Sequence, residues 1–538
     1  MTFSTIQKIT AMLLAVLLVV SLAGCGSEST EETSSGTELS TQTDVATIRY
    51  NDLRLPYAKA DSLDPYEAKS AMNRQLSTLL YDSLFTVGEN FEAKPLLAKE
   101  YLTDGLSVTV SVNTGVRFTD GSFMTLSDIL YSFDVAKKSQ VYKARLSNFD
   151  AASAVGENVL VFTLEEPDPF AVACLDFPII KTGTSFEDRK RMDEQNGNDE
   201  DTDKKPAVKT TDKTVPVGSG RYKLQYEENE ADPVLVAFNE RFKGFFSTMS
   251  TIRLVNVTDS TALFYSLEIG NISFAFDDLS SGKYTRVNAS ISEYPMNNLV
   301  YLGMNQDDSA LAIPAVRQAI EAAIDREDIL NVAFQGHATV THTPFNPLWT
   351  ESAAYEGEWT KGDKTAEQIL EEAGFDKVNS YGVRNNGRVA LNLNLIVSEE
   401  NNFKIVAAQQ IAKKLKPLKI KVKITTMPAA KFLTEVELGH FDLYIGEVAM
   451  SANMSLDSFF GASGAMAHGI WARTAADAYD SFLAGEINFT AFMEAFNLDM
   501  PFVPLCFRKG IVASVKELQN TQNARYGDLY EDIEDWHF

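Results

Sequence analysis

The side chains best suited to catalysis are scarce in this 538-residue sequence, which holds five histidines and three cysteines. No histidine begins an H-E-x-x-H, the spacing that would put two zinc ligands and a general base on one helical turn. His337 and His342 lie five apart in Gly336-His-Ala-Thr-Val-Thr-His342 and do not share a helical face; they read as exposed loop histidines. Gly461-Ala-Ser-Gly464 is one residue short of the G-x-S-x-G elbow that presents a nucleophilic serine. Gly218-Ser219-Gly220 lacks the lysine and the spacing of a phosphate loop. Cys174 and Cys506 stand in apolar segments and read as small buried hydrophobes, and no pair forms C-x-x-C. The expectation is a protein with no catalytic residues, no metal and no cofactor.

Cys25 has a different context. Lys8 precedes the apolar run Ala11–Val20, which stops at Ser21-Leu22-Ala23-Gly24-Cys25. The run is too short for a comfortable membrane span, which needs about 20 apolar residues. Leu22-Ala-Gly-Cys25 instead resembles the bacterial lipobox, in which the cysteine is thioether-linked to diacylglycerol and becomes the first residue of the mature chain. Residues 1–24 then read as a lipoprotein signal peptide and 25–45 as a tether. Between 26 and 45 the sequence has five acids and no base, a composition that cannot pack a core. Two or more acyl chains, at about 0.8 kcal/mol per buried CH2, would hold such a protein on the outer face of the cytoplasmic membrane. Net charge agrees with a soluble body beyond the tether: 74 acidic against 48 basic side chains give −26 and a pI near 4.7. Nucleic acid is excluded as a partner, because it attracts basic surfaces.

The remaining chain supplies elements of two kinds. Strand-like alternation at Ser107–Val112 and Val159–Leu164, with turn signals between, makes the first half strand-rich. Residues 187–213 hold almost no apolar side chains and read as a mobile surface loop. After Tyr301 the periodicity becomes helical, with Val316, Ala319, Ile320 and Ala323 behind Pro314, and Thr365-Ala-Glu-Gln368 as a capping box before a helix stopped by Gly374. Over 391–447, strand, helix, strand, helix and strand follow one another, a βαβαβ unit whose right-handed crossovers give a parallel sheet. Ligands in such sheets sit beyond the carboxyl ends of the strands, which brings Glu447, Met450 and Asn453 to the functional edge.

An ordered series of motifs then resembles the family 5 extracellular solute-binding proteins, the oligopeptide-binding type that feeds ABC importers. It runs through Leu63-Asp64-Pro65, Leu80-Tyr81-Asp82-Ser83-Leu84-Phe85, Gly115-Val-Arg-Phe118-Thr-Asp120-Gly121, Gly218-Ser-Gly-Arg221-Tyr222, Val316-Arg-Gln-Ala-Ile320 and Glu372-Ala-Gly-Phe375. The resemblance implies an α/β, two-lobed, periplasmic-binding-protein-like type II fold that closes on a ligand by hinge motion. The first lobe would span 46–297 with a strand-rich subdomain at about 66–180, the second 298–498, and 499–538 would return to the first lobe. It further implies a monomer that captures a small solute, most simply a peptide, and delivers it to an ABC permease. By position Tyr142 and Tyr301 are the expected cleft aromatics. One departure concerns the solute. Where peptide binders of the family show a tryptophan and then an amine-capturing aspartate, this chain reads Gly446-Glu447-Val-Ala-Met450-Ser-Ala-Asn453, so Glu447 is the candidate carboxylate. A non-peptide solute, or a surface lipoprotein with a chaperone or signalling task, stands as the alternative.

Overall fold

The computed structural model describes residues 52–538 apart from 197–214, 229, 260, 308–309 and 462–463. The signal peptide, Cys25 and the tether lie outside the described residues. Among those described, no helix is long and apolar enough to cross a membrane.

Two four-stranded sheets dominate the first lobe. A mixed sheet sets Arg54–Tyr57 parallel to Thr251–Asn256, then adds Val234–Ala237 and Tyr222–Gln225 antiparallel. An antiparallel sheet orders Ala98–Asp104, Ser107–Val112, Val159–Leu164 and Phe149–Val155 side by side. Strict alternation explains that sheet: Val108, Val110 and Val112 of one strand and Leu160, Phe162 and Leu164 of its neighbour point inward and are buried. Helix Leu126–Lys138 supplies Phe133, whose ring meets Phe149 and Phe162 edge-on. The turn before that helix is structural. Phe118 is fully buried, Gly121 donates to the Phe118 carbonyl at φ +86°, and Asp120 is paired with Lys181.

One seven-stranded mixed sheet organises the second lobe. Asn392–Ser398 lies parallel between Lys421–Met427 and Leu443–Ala449, and helices Asn402–Leu415 and Ala429–Glu437 make the crossovers. Beyond Leu443–Ala449 the sheet turns antiparallel, through Ser290–Met304 and Phe502–Ser514. These two long strands also connect the lobes. Their register shifts between Pro295 and Leu299, where proline cannot donate to the ladder. On one side of that break they pair within the second lobe. On the other, Phe502–Ser514 pairs with Phe274–Asp277, and Phe274 packs against Trp536 at 4.9 Å between centroids. Residues 525–538 are held on the first lobe, where the Arg221 guanidinium meets Asp528 at 2.6 Å and donates to the Tyr530 carbonyl at 2.9 Å.

The segment expected to be a loop over 187–213 begins as a helix, Phe186–Asn196. Ser185 accepts from the Asp188 amide at 3.3 Å, Glu187 and Asp188 occupy the first turn, and Arg189 is paired with buried Asp64 at 2.9 Å. A helix stabilised by capping and charge has no apolar stripe for periodicity to find.

Candidate functional site

Two large cavities stand out among the described residues. One, about 1130 Å³, is lined only by residues 318–504 and belongs to the second lobe alone. The other, about 850 Å³, is lined by first-lobe residues between Ala58 and Met296, by Asn298 where the chain crosses between lobes, and by Arg525–Glu534 of the returning C-terminal segment. This second cavity reaches the crossing strand Ser290–Met304 and gathers aromatic and charged side chains, and it is therefore the candidate site.

Tyr142 and Arg145 project from the first-lobe side, after helix Leu126–Lys138. Their three-residue spacing lets the guanidinium lie 5.1 Å from the centre of the Tyr142 ring, which meets Tyr66 edge-on at 5.5 Å. Arg145 Nη1 donates to both Asp176 oxygens, at 2.6 and 2.7 Å. Burial pushes the Tyr142 phenol up, so it stays a neutral donor at any physiological pH. Tyr294, Met296 and Asn298 enter from Ser290–Met304, and Tyr526 from the C-terminal segment, where its ring lies 5.2 Å from Phe91. Nine carboxylates and five arginines line this cavity, and four of the arginines, Arg145, Arg221, Arg241 and Arg525, are ion-paired.

The other residues singled out from the sequence take different places. Tyr301 does not line the cavity; it is fully buried in the core of the second lobe, its ring edge-on to Tyr444, Phe459 and Phe502 and its hydroxyl bonded to that of Tyr444 at 2.9 Å. It sits opposite Gly446 in register, and the absence of a side chain there gives the ring its seat. Glu447 is not free to bind an amine. Arg508 Nε at 2.6 Å and Lys404 Nζ at 2.8 Å hold the carboxylate, Asn298 donates to it at 3.0 Å, and the two cations bring its pKa down to about 2 against burial. Met450 is buried and joined to Asn297 through the backbone. Asn453 crosses between lobes: its Nδ2 donates to Asp168 Oδ2 of the first lobe at 2.7 Å. Beside that contact Phe170 packs against second-lobe Trp349 at 4.9 Å and Phe482 at 5.9 Å.

His337 and His342, expected in open loops, are each partly buried against a carboxylate, Glu293 at 2.7 Å and Glu356 at 2.8 Å; His342 also stacks on Trp359. Among the described residues no three potential metal ligands converge. Cys174 and Cys506 are buried free thiols, both pushed up by desolvation. Sequence reasoning missed Arg145, Arg525 and Tyr526. For the last two, the signal was Arg525 as the only base in an otherwise acidic end.

Two lobes joined by a pair of crossing strands, with a cavity beside the crossing, define a solute-binding protein of the type II architecture. The chain belongs to the bacterial extracellular solute-binding proteins of family 5: the model described as "Bacterial extracellular solute-binding proteins, family 5 Middle" matches residues 92–467. It is 24% identical over 388 residues to the glutathione-binding protein GsiB of Salmonella typhi, covering 70% of this chain and 69% of that one. It is equally 24% identical over 397 residues to the oligopeptide-binding protein AppA of Bacillus subtilis, covering 71% and 69%. The solved structure of a nickel ABC transporter protein from Bacillus halodurans superposes with a TM-score of 0.68 at 18% identity, over 91% of this chain and 100% of that one. The protein is thus an extracytoplasmic solute receptor of an ABC importer, in a family of receptors and not of enzymes.

Proposed function

We propose that the protein captures a short peptide in the cavity beside the lobe crossing, closes on it, and presents it to an ABC permease from a lipid anchor at Cys25. The cavity carries this reading. At about 850 Å³ it lies within the range of about 300–1,000 Å³ that encloses a small ligand, and it joins aromatic faces to polar groups. Tyr142, Tyr294 and Tyr526 offer flat surfaces to side chains of varied shape, while Asn298 and Arg145 can bond a peptide backbone. The relatives' solutes, glutathione and oligopeptides, are both peptidic. A monomer suffices, since every cavity wall comes from one chain.

Native mass spectrometry of the mature protein tests the solute, with mixed di- to pentapeptides, glutathione and nickel–histidine chelate as competing arms. Retention of peptides is expected; retention of the chelate alone overturns the reading. Metabolic labelling with a radioactive fatty acid tests the anchor: label should be lost on Cys25→Ser.

A further inference from the structure

The acidic excess of this chain is not spread evenly. Between residues 401 and 434 the sequence holds eight lysines and no acid. Two of them are used internally, Lys404 on Glu447 and Lys414 on Asp325 and Asp328. Four others gather at one edge of the second-lobe sheet. Lys421–Met427 is its outermost strand, paired on one side only, with Asn392–Ser398. Lys421 and Lys423 stand exposed on one face of that strand, while Val422 and Ile424 pack against the core on the other. Lys416 and Lys419 occupy the turn that leads into it. The hairpin of Lys377–Val378 and Arg384–Asn385 is fastened to the same turn: the Arg384 amide donates to the Lys419 carbonyl at 2.9 Å and Nε to the Leu418 carbonyl at 2.8 Å. The hairpin adds exposed Lys377 and, just beyond it, Arg388. Among the described residues none of these six cations makes an ion pair. Lysines on an edge strand guard against pairing with another chain, which accounts for Lys421 and Lys423. It does not account for the other four cations, nor for the hairpin tip, where Tyr381 is 87% exposed and Val378 52%. That tip is tightly bonded. The Tyr381 and Val383 amides both donate to Asn379 Oδ1 at 3.0 Å and the Gly382 amide to the Asn379 carbonyl at 2.9 Å, so the backbone holds the tyrosine out at little further cost in entropy.

We propose that this end of the second lobe is a membrane contact, a basic surface with an aromatic tip that rests on the headgroups of an anionic phospholipid leaflet. A tyrosine and an aliphatic side chain ringed by lysine and arginine suit the lipid–water boundary, where the ring lies among headgroups and the cations meet phosphate. Each cation close to an anionic leaflet raises affinity roughly fivefold. Charge also sets orientation. A chain of net charge −26 is repelled by such a leaflet except where its bases are gathered, so it meets the leaflet basic end first. The contact leaves the solute site open. Lys421 begins its strand, whereas the cavity meets the sheet at Asn298, in register with Ala449 at the carboxyl end of Leu443–Ala449. Both strands run parallel to Asn392–Ser398, so the basic surface and the cavity lie toward opposite strand ends. The contact does not need the lipid anchor, which would only raise the local concentration.

Vesicle flotation tests it, with the mature chain carrying Cys25→Ser so that no acyl chain contributes. The protein should float with equimolar phosphatidylglycerol and phosphatidylcholine, not with phosphatidylcholine alone, and should be released in about 1 M salt, where charges are screened beyond about 3 Å. Lys421→Gln with Lys423→Gln should weaken binding roughly twenty- to thirtyfold, and so should Lys377→Gln with Arg388→Gln. Tyr381→Ser should weaken it severalfold while leaving the salt dependence unchanged. All five positions are exposed, so the melting temperature and the solute retained should match those of the parent. Equal flotation with neutral and anionic vesicles, or undiminished binding by both double variants, would overturn the assignment of this surface. Capture by soluble polyphosphate with no flotation would show an anion-binding edge that is not a membrane contact, and would overturn it too. Failure of a folded parent to float would do the same while leaving the Cys25 anchor standing, because fatty-acid labelling reads the anchor separately.

Discussion

Glu447 is a carboxylate at the carboxyl end of a parallel strand, the position from which a ligand is most often held, and here it is used internally. Lys404 and Arg508 close on it from a helix and a strand remote in sequence, so no local pattern could announce that its charge was already matched. Glu447→Gln would leave two buried cations opposite a neutral amide. Breaking a buried pair in this way costs about 3–5 kcal/mol, and urea denaturation should show a loss of that size with solute affinity affected only through the fraction folded. The pH dependence has a definite sign. A carboxylate whose folded pKa is about 2, below its ordinary 4.5, contributes stability fully present above 4.5 and lost as pH falls from there toward 2. The parent protein should therefore lose more stability than the variant across that window.

At the level of elements, legibility followed how much of the signal was local. The Thr365–Gln368 capping box forms as its spacing requires, with the Gln368 side chain accepting from the Thr365 amide at 2.8 Å. Two of the βαβαβ strands were readable by alternation: Leu393 and Leu395 are buried between more exposed asparagines, and Val422 and Ile424 are partly buried between exposed lysines, whereas Leu443–Gly446 is buried on both faces. Tyr301 was not, because a tyrosine near a strand end looks the same whether it faces a cleft or a core. What decides is the partner strand: Tyr301 is opposite Gly446 and Tyr444 is opposite Gly303, so each ring lies over the other strand's glycine. A Cβ at Gly446 would stand 2.3 Å from Tyr301 Cζ, which cannot be accommodated without moving the ring or the strand. Gly446→Ala should cost about 1–3 kcal/mol through overpacking, seen as a lowered Tm. Shrinking the ring in the double variant with Tyr301→Leu should recover part of it.

For the whole molecule the contact that matters is the one joining lobes far from the crossing strands. Asn453, held by the Ser451 hydroxyl, donates to Asp168, while Phe170 fills the space between Trp349 and Phe482. The strand-end rule pointed to the Asn453 loop, but its partner could be known only once both lobes were assembled. Asp168 is buried at this contact, and desolvation, aided by repulsion from Asp457, brings its pKa up to about 6, opposed by the bonds from Asn453 and the Phe170 amide. Tyr479, a further titratable neighbour, stays neutral. Opening of the lobes would return Asp168 to water, where its carboxyl would take the ordinary 3.8. A raised pKa in the closed form means that closure is most favoured below 3.8, weakens as pH rises toward 6, and changes no further above it. A difference of that size corresponds to a fall in solute affinity of roughly ten- to a hundredfold between pH 4 and pH 6.5, measurable by titration calorimetry with the solute the protein retains. Asp168→Asn keeps the shape and removes the titration, so its affinity should be nearly flat over the same range and exceed that of the parent at pH 7. Asn453→Ala should act in the opposite direction, weakening binding at pH 7 about tenfold by leaving the buried carboxylate without its donor. Parallel pH profiles for parent and Asp168→Asn would show that closure does not bury this carboxylate.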